Sequence, residues 1–301
     1  MRKFLTAALL LIMTCAGARG ESNVVRSEDV IYGRKFGAAL TMDVFKPPTP
    51  NGVGIVFAVS GGWFSAKEHV NQAVYDAFLR RGYTVFAVVH GSQPKFQIPE
   101  IVDDMNRAVR FVRHNAKSYG IDPGRIGISG ASAGGHLSLM LATKGGNGKP
   151  DAKDPVDRES SAIQAVACFF PPTDFLNYGG PGTNAVGIGV LKAFKAAFGP
   201  ESDTEEGRMT LGRNISPIYF VHTNQPPVLI IHGDADLLVP IQQAESFAQR
   251  SHEMGAVAKV VVKKGQAHGW KDWIADLTMF ADWFDEHLRG IKPHADSLST
   301  Q

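Results

Sequence analysis

Ser132 sits in Gly130-Ala131-Ser132-Ala133-Gly134-Gly135-His136, a stretch whose residue types and spacing could serve nucleophilic chemistry. Before it, Arg125-Ile126-Gly127-Ile128-Ser129 is short, apolar and β-branched and predicts a strand. After it, His136-Leu137-Ser138-Leu139-Met140-Leu141-Ala142-Thr143 holds no Gly or Pro and predicts a helix. A G-x-S-x-G pattern at a strand-to-helix turn leaves the serine hydroxyl exposed at the strand's end, because its glycines permit a turn too tight for a Cβ. The bland alternative is a Gly/Ser turn that only closes a βα unit.

A serine hydroxyl is a weak nucleophile at neutral pH. It needs an adjacent base, and the base needs a carboxylate to fix its tautomer. In chains built around such a turn, the acid follows the serine and the histidine follows the acid. Val228-Leu229-Ile230-Ile231-His232 predicts a strand and runs into Gly233-Asp234-Ala235-Asp236-Leu237-Leu238-Val239-Pro240. Lys259-Val260-Val261-Val262-Lys263 predicts the next strand and leads to Gly265-Gln266-Ala267-His268-Gly269-Trp270. Among ten histidines, His268 alone combines a strand end, a flanking glycine and a position after the acid. His69, His114, His252 and His287 fall in predicted helices among polar neighbours and read as solvated. His136 and His232 suit structural hydrogen bonds, His90 and His222 precede or lie far from the expected loop, and His294 is in a polar tail. Asp234 and Asp236 both qualify as the acid. Acyl transfer also needs N–H donors for the oxyanion. The Ala133 N–H is one candidate, and the loop Ser60-Gly61-Gly62-Trp63 after an early strand supplies others. Trp63, Phe64 and Trp270 are candidate pocket walls that core packing would explain equally well.

The elements that must position these groups alternate between strand-like and helix-like runs, the pattern of a mostly parallel sheet covered by helices. Residues 40–45 alternate and end at Lys46-Pro47-Pro48, which predicts a half-exposed antiparallel edge strand. Residues 53–60 and 83–89 are continuous apolar runs, as buried parallel strands should be, and further strands are expected at 125–129, 163–170, 227–232 and 258–263. Helices fit 67–81, 101–119, 132–143, 241–255 and 270–289. In the second, Ile101, Met105, Ala108, Val109, Val112 and Ala116 recur at helical spacing. Two segments interrupt the alternation. Residues 144–160 are rich in Gly, Asp and Lys and read as a mobile surface loop; 177–219 are long enough for a small cap over a site.

Length and composition fit this picture. The 301 residues suit one large α/β domain over 21–301, and 44% hydrophobic residues support a sizeable core. Residues 1–20 read as a secretory signal. Arg2 and Lys3 precede an apolar run from Phe4 to Met13 that is too short to span a bilayer, and small residues follow at Ala16-Gly17-Ala18 and Gly20. Export to a secreted or periplasmic location is expected, with lipid anchoring at Cys15 a weaker option and no stable membrane span after cleavage. Removing Arg2, Lys3 and Arg19 leaves 28 basic residues against 29 acidic ones, a net charge of −1 rather than +2, so no nucleic-acid partner is implied. With Cys15 removed, Cys168 is the one cysteine left, which excludes an internal disulfide and predicts a buried packing residue. There is no clustered His/Cys/Asp ligand pattern, so no metal or organic cofactor is expected.

Taken together these residues resemble the α/β-hydrolase fold, over roughly residues 30–290, and within it the exported esterase-like branch of acetyl-xylan, feruloyl and hormone-sensitive-lipase-type carboxylesterases. The marks are Tyr119-Gly120-Ile121-Asp122-Pro123-Gly124-Arg125-Ile126-Gly127, the segment from Gly130 to His136, the stretch from His232 to Pro240, and His268-Gly269-Trp270. In similar enzymes the acid stands three residues before a Val-Pro pair, which the resemblance assigns to Asp236. It further implies a serine ester hydrolase in which Ser132 attacks, His268 shuttles the proton, and Gly61, Gly62 and Ala133 N–H groups hold the oxyanion. Short acyl or carbohydrate-linked esters are the expected substrates. An amidase or peptidase with the same triad is the alternative, and a silent hydrolase fold used for binding is a third reading. The chain departs from the family at two places beside the expected pocket. Val59-Ser60-Gly61-Gly62-Trp63 stands where His-Gly-Gly-Gly-Trp is usual, and His90-Gly91 replaces Tyr-Arg.

Overall fold

The computed structural model describes residues 23–292. The signal-like residues 1–20, with Cys15, and His294 lie outside the described residues.

Eight strands form one sheet: β1 (Val25–Lys35), β2 (Ala38–Lys46), β3 (Gly54–Ala58), β4 (Thr84–Val89), β5 (Ile126–Ala131), β6 (Ala165–Phe169), β7 (Val228–Gly233) and β8 (Ala258–Lys263). Their spatial order is β1-β2-β4-β3-β5-β6-β7-β8. β1 and β2 pair antiparallel, β2 joins β4 antiparallel, and every pairing from β4 to β8 is parallel. The helices are α1 (Asp76–Leu79), α2 (Ile98–His114), α3 (Ala116–Tyr119), α4 (Ala133–Lys144), α5 (Lys195–Phe198), α6 (Glu205–Ile215), α7 (Gln242–Glu253) and α8 (Leu277–Arg289). Among the described residues no helix is long and apolar enough to cross a membrane.

The strands are apolar on both faces because both faces are covered. Successive side chains alternate sides: Val56, Ala58, Ile128 and Ile230 join a core with α2, α4, α6 and α7, whereas Ile55, Phe57, Leu229 and Ile231 join one with α1 and α8. The chain order reverses at β3, which lies between β4 and β5. Loops leaving the carboxyl ends of strands on either side of such a point open a crevice between them.

Several sequence expectations need correction. The strand expected at 40–45 is not an edge, because β1 pairs along its outer side over eleven residues whose own pattern is mostly exposed. The helix expected over 67–81 breaks into two 3-10 turns and the four-residue α1. Asn71 is responsible: its backbone is extended, and its side chain accepts from the Ala73 N–H and restarts the chain. The helix expected at 101–119 begins earlier, where Glu100 reaches back to the Gln97 N–H beside Pro99, and is interrupted at Asn115. The helix expected from 270 starts only at 277. Asp276 just before it binds both Lys263 Nζ and Trp270 Nε1 at 2.7 Å, which holds 270–276 as turns against the end of β8. The loop at 144–160 is fastened to α2 by Arg107, which pairs with Asp154 at 2.6 Å and Asp157 at 2.8 Å. Cys168 is fully buried, as expected of packing.

Phe280 of α8 lies 4.3 Å from Phe169 at the end of β6, centroid to centroid, and is fully buried. Replacing Phe280 with alanine should therefore cost about 3–5 kcal/mol of stability. Urea denaturation should show the lowered midpoint with an unchanged slope.

Candidate active site

The turn from β5 into α4 is built by backbone crowding. Ser132 has φ +55 and ψ −119, a left-handed conformation that few residues adopt without support. A Cβ at Gly130 would lie 2.5 Å from the Gly134 carbonyl carbon, and one at Gly134 would lie 2.6 Å from the Ala58 carbonyl oxygen of β3. Glycine at both positions lets α4 start directly over the sheet. The Ser132 N–H donates to the Phe169 carbonyl of β6 at 3.0 Å, which anchors the strained residue to the neighbouring strand.

The structure brings Ser132, His268 and Asp236 together. Ser132 Oγ lies 2.9 Å from His268 Nε2, and His268 Nδ1 lies 2.7 Å from Asp236 Oδ2. A carboxylate only accepts, so Nδ1 carries the proton and Nε2 presents its lone pair to the serine hydroxyl. This arrangement can draw the proton from Ser132 Oγ. The His268 ring packs on Phe170, 4.5 Å between centroids, and its side chain stays 22% exposed, enough for a reactant to reach it.

Asp236 is buried and fully engaged. Oδ1 accepts from the Leu238 and Val239 N–H groups, both at 2.9 Å, and Oδ2 also lies 3.4 Å from His232 Nε2. Burial alone would raise the Asp236 carboxyl, but donors on His232, His268 and the Val239 backbone outweigh it and hold the group well below the usual carboxylate range. Asp234, the other candidate acid, does different work. It accepts from the Gly265 N–H at 2.6 Å, and the Ala235 N–H donates to the Gln266 carbonyl at 3.0 Å. Together these bonds fasten the loop that carries His268.

Of the expected oxyanion donors, Gly61 is tied up in a local turn. Residues 61–64 close on themselves: the Gly61 N–H donates to the Phe64 carbonyl at 3.0 Å and the Phe64 N–H to the Gly61 carbonyl at 2.9 Å. The Gly61 N–H is therefore engaged within the turn. The Gly62 and Trp63 N–H groups, with Ala133 at the start of α4, have no backbone acceptor among the described residues. Helix α4 also directs the positive end of its dipole here.

Of the candidate pocket walls, Trp63 turns inward and is only 2% exposed, packed by Phe175, Phe194, Phe198 and His136. Its φ of +59 costs a non-glycine residue about 1–2 kcal/mol. Phe64 is 44% exposed beside the turn. Trp270 stands half-buried against Phe169 and Phe170. The segment 177–219 folds into short helical pieces, and Phe194 from it packs directly over Gly62, where a Cβ would lie 2.5 Å from its ring. A cleft of about 570 Å³ between β1, α2 and the 144–160 loop is lined by charged pairs such as Lys35 with Asp104 and contains none of these groups.

Two histidines that sequence reasoning kept out of the site stand immediately behind it. His136 makes the structural hydrogen bonds expected of it, to Trp63 and to the Ile215 carbonyl. His90, set aside as the base but marked as standing beside the expected pocket, contacts Ser60, Nε2 to Oγ 2.8 Å. Register explains this: β3 and β4 run parallel side by side, so their carboxyl ends coincide.

Comparison with known proteins adds to this geometry. A family model described as BD-FAE matches residues 42–250. The chain is 26% identical over 249 residues to esterase LipQ of Mycobacterium tuberculosis, covering 81% of this chain and 56% of that protein. It is 26% identical over 238 residues to esterase LipC of the same organism, covering 78% and 57%. The chain thus spans little more than half the length of these relatives. Among solved structures, a truncated carbohydrate esterase from gut microbiota superimposes with a TM-score of 0.74 at 26% identity, covering 88% of this chain and 96% of that one. The fold is that of the α/β-hydrolases.

The Asp236 carboxyl is held lower in the folded chain than in the unfolded one, so in acid the unfolded state binds more protons. The stabilisation is complete above about pH 4 and is lost as pH falls below that value. Acid titration followed by circular dichroism should show this loss, and Asp236→Asn should flatten the slope in that window.

Proposed function

The chain belongs to the BD-FAE family, and from that premise we propose that it is a serine carboxylic-ester hydrolase. The observation that carries this reading is the unbroken run of hydrogen bonds from Ser132 through His268 to Asp236, set on a nucleophile with left-handed backbone. Ser132 Oγ attacks the ester carbonyl while His268 Nε2 takes its proton. The same imidazolium then protonates the departing alcohol, leaving an acyl-enzyme. Water repeats the sequence with His268 as base, and the acid departs. Asp236 keeps the Nδ1 proton in place and stabilises the transient positive ring. The Ala133, Gly62 and Trp63 N–H groups receive the charge that develops on the carbonyl oxygen.

Short acyl esters, including those linked to carbohydrate, are the proposed substrates. Support comes from the likeness to a carbohydrate esterase and from Phe194, which crowds the surface of Gly62. The signal-like residues 1–20 support action outside the cytoplasm.

Ser132→Ala should lower hydrolysis of p-nitrophenyl acetate by about 10⁴-fold or more and abolish labelling by a fluorophosphonate probe, with the melting temperature little changed. A folded Ser132→Ala protein that hydrolysed the ester at the wild-type rate would sink the proposal. Faster cleavage of a matching anilide than of the ester would move it to amide chemistry.

A further inference from the structure

Residues 60–63 carry two of the proposed oxyanion donors on a turn whose central residues, Gly62 and Trp63, both have positive φ, +55 and +59. Such a turn does not hold a tryptophan unaided. The carbonyl side is restrained by Gln93: its backbone N–H donates to the Trp63 carbonyl at 3.2 Å and its Nε2 to the Gly62 carbonyl at 3.3 Å. In a trans peptide C=O and N–H point in opposite directions, so fixing the Gly62 carbonyl fixes the heading of the Trp63 N–H.

The side chains of the turn are held by histidines at both ends. At the first, Ser60 Oγ lies 2.8 Å from His90 Nε2, while His90 Nδ1 lies 2.7 Å from the Gly91 carbonyl. At the other, Trp63 Nε1 lies 3.1 Å from His136 Nδ1, while His136 Nε2 lies 2.7 Å from the Ile215 carbonyl at the end of α6. A carbonyl can only accept and an indole N–H can only donate. His136 is therefore protonated on Nε2 and accepts on Nδ1. His90 is protonated on Nδ1 and accepts the Ser60 hydroxyl on Nε2. Resting on the reading of Ser132 as an acyl nucleophile, we infer that His90 and His136 are positioning residues for the oxyanion turn, acting as hydrogen-bond acceptors that aim the Gly62 and Trp63 N–H groups at the substrate oxygen. Both rings are buried, 3% and 0% exposed. Burial lowers each to about 4 despite the carbonyl beside it, and for His90 the Lys35 charge adds to the effect, so both stay neutral and able to accept. The two departures from the family pattern, Ser60 and His90, are thus the two ends of one hydrogen bond.

Trp63→Phe and Ser60→Ala each remove one donor hydrogen and leave the backbone donors in the sequence. Both should fold with melting temperatures within a few degrees of wild type. With p-nitrophenyl acetate, Trp63→Phe should lower kcat about 10- to 100-fold with KM within about three-fold, since misaiming a donor acts on the transition state. Ser60→Ala should lower kcat about 5- to 10-fold with KM held likewise. Pairing Trp63→Phe with His136→Gln should cost no more than the worse single change, whereas Trp63→Phe with Ser60→Ala should multiply. The inference is overturned if both folded single variants keep wild-type kcat, or if their losses fall on KM alone. If His136→Gln does not fold, the two donor-removing variants decide by themselves. A wild-type protein without Ser132-dependent hydrolysis would instead remove the ester-hydrolase reading, and this inference with it.

Discussion

The site rests on a steric constraint in the backbone around Ser132. Ser132 adopts a conformation normally left to glycine, and α4 begins so close to β3 and β5 that no side chain fits at Gly130 or Gly134. Everything else at the site is arranged around the position this crowding gives to one hydroxyl. The Phe169 carbonyl holds the Ser132 amide, and the next residue, Phe170, packs its ring on His268. The strand beside Ser132 thus fixes both ends of the bond between Ser132 and His268. The strain is affordable because it is distributed over backbone contacts to two neighbouring strands and not carried by one side chain.

Proton placement follows a single rule throughout. His90, His136 and His268 each have one nitrogen facing a group that can only accept, so the other nitrogen is left as a lone pair. In His268 that lone pair meets a hydroxyl at a solvent-reachable position. In the other two it meets a hydroxyl and an indole in the interior, behind the loop that closes the site. Under the proposed function the same imidazole chemistry would serve proton transfer in one setting and alignment in the others, with burial separating the two uses.

Much of this was legible in the sequence. The strand before Ser132, the apolar run after it, and the two strand ends carrying Asp236 and His268 have local signatures that survive into the structure within one or two residues. Where reading failed, the cause was a specific hydrogen bond, local or between distant segments, that residue pattern does not reveal. β1 has too little apolar content to announce itself and exists through pairing with β2. The 67–81 segment has helical composition, but a side chain at Asn71 competes for the backbone. The Gly61 N–H is engaged because the turn closes on its own amide, a pairing invisible in a run of glycines. The bond between His90 and Ser60 was not legible because the two stand thirty residues apart along the chain. The resemblance pattern had marked both positions as unusual without showing that they touch.

The carbonyl of Ile215 has a consequence beyond the bond it accepts. Residues 177–219 interrupt the alternation of strands and helices as a run of helical pieces that bury Phe198, Leu211 and Ile215. Yet the last turn of α6 reaches inward and fixes which nitrogen of His136 carries a proton. The excursion is therefore not fully modular. Its Phe194 and Phe198 touch Trp63 from one side and its exit is registered to the interior on the other, so a grafted replacement must restore one backbone oxygen at that place as well as the aromatic contacts.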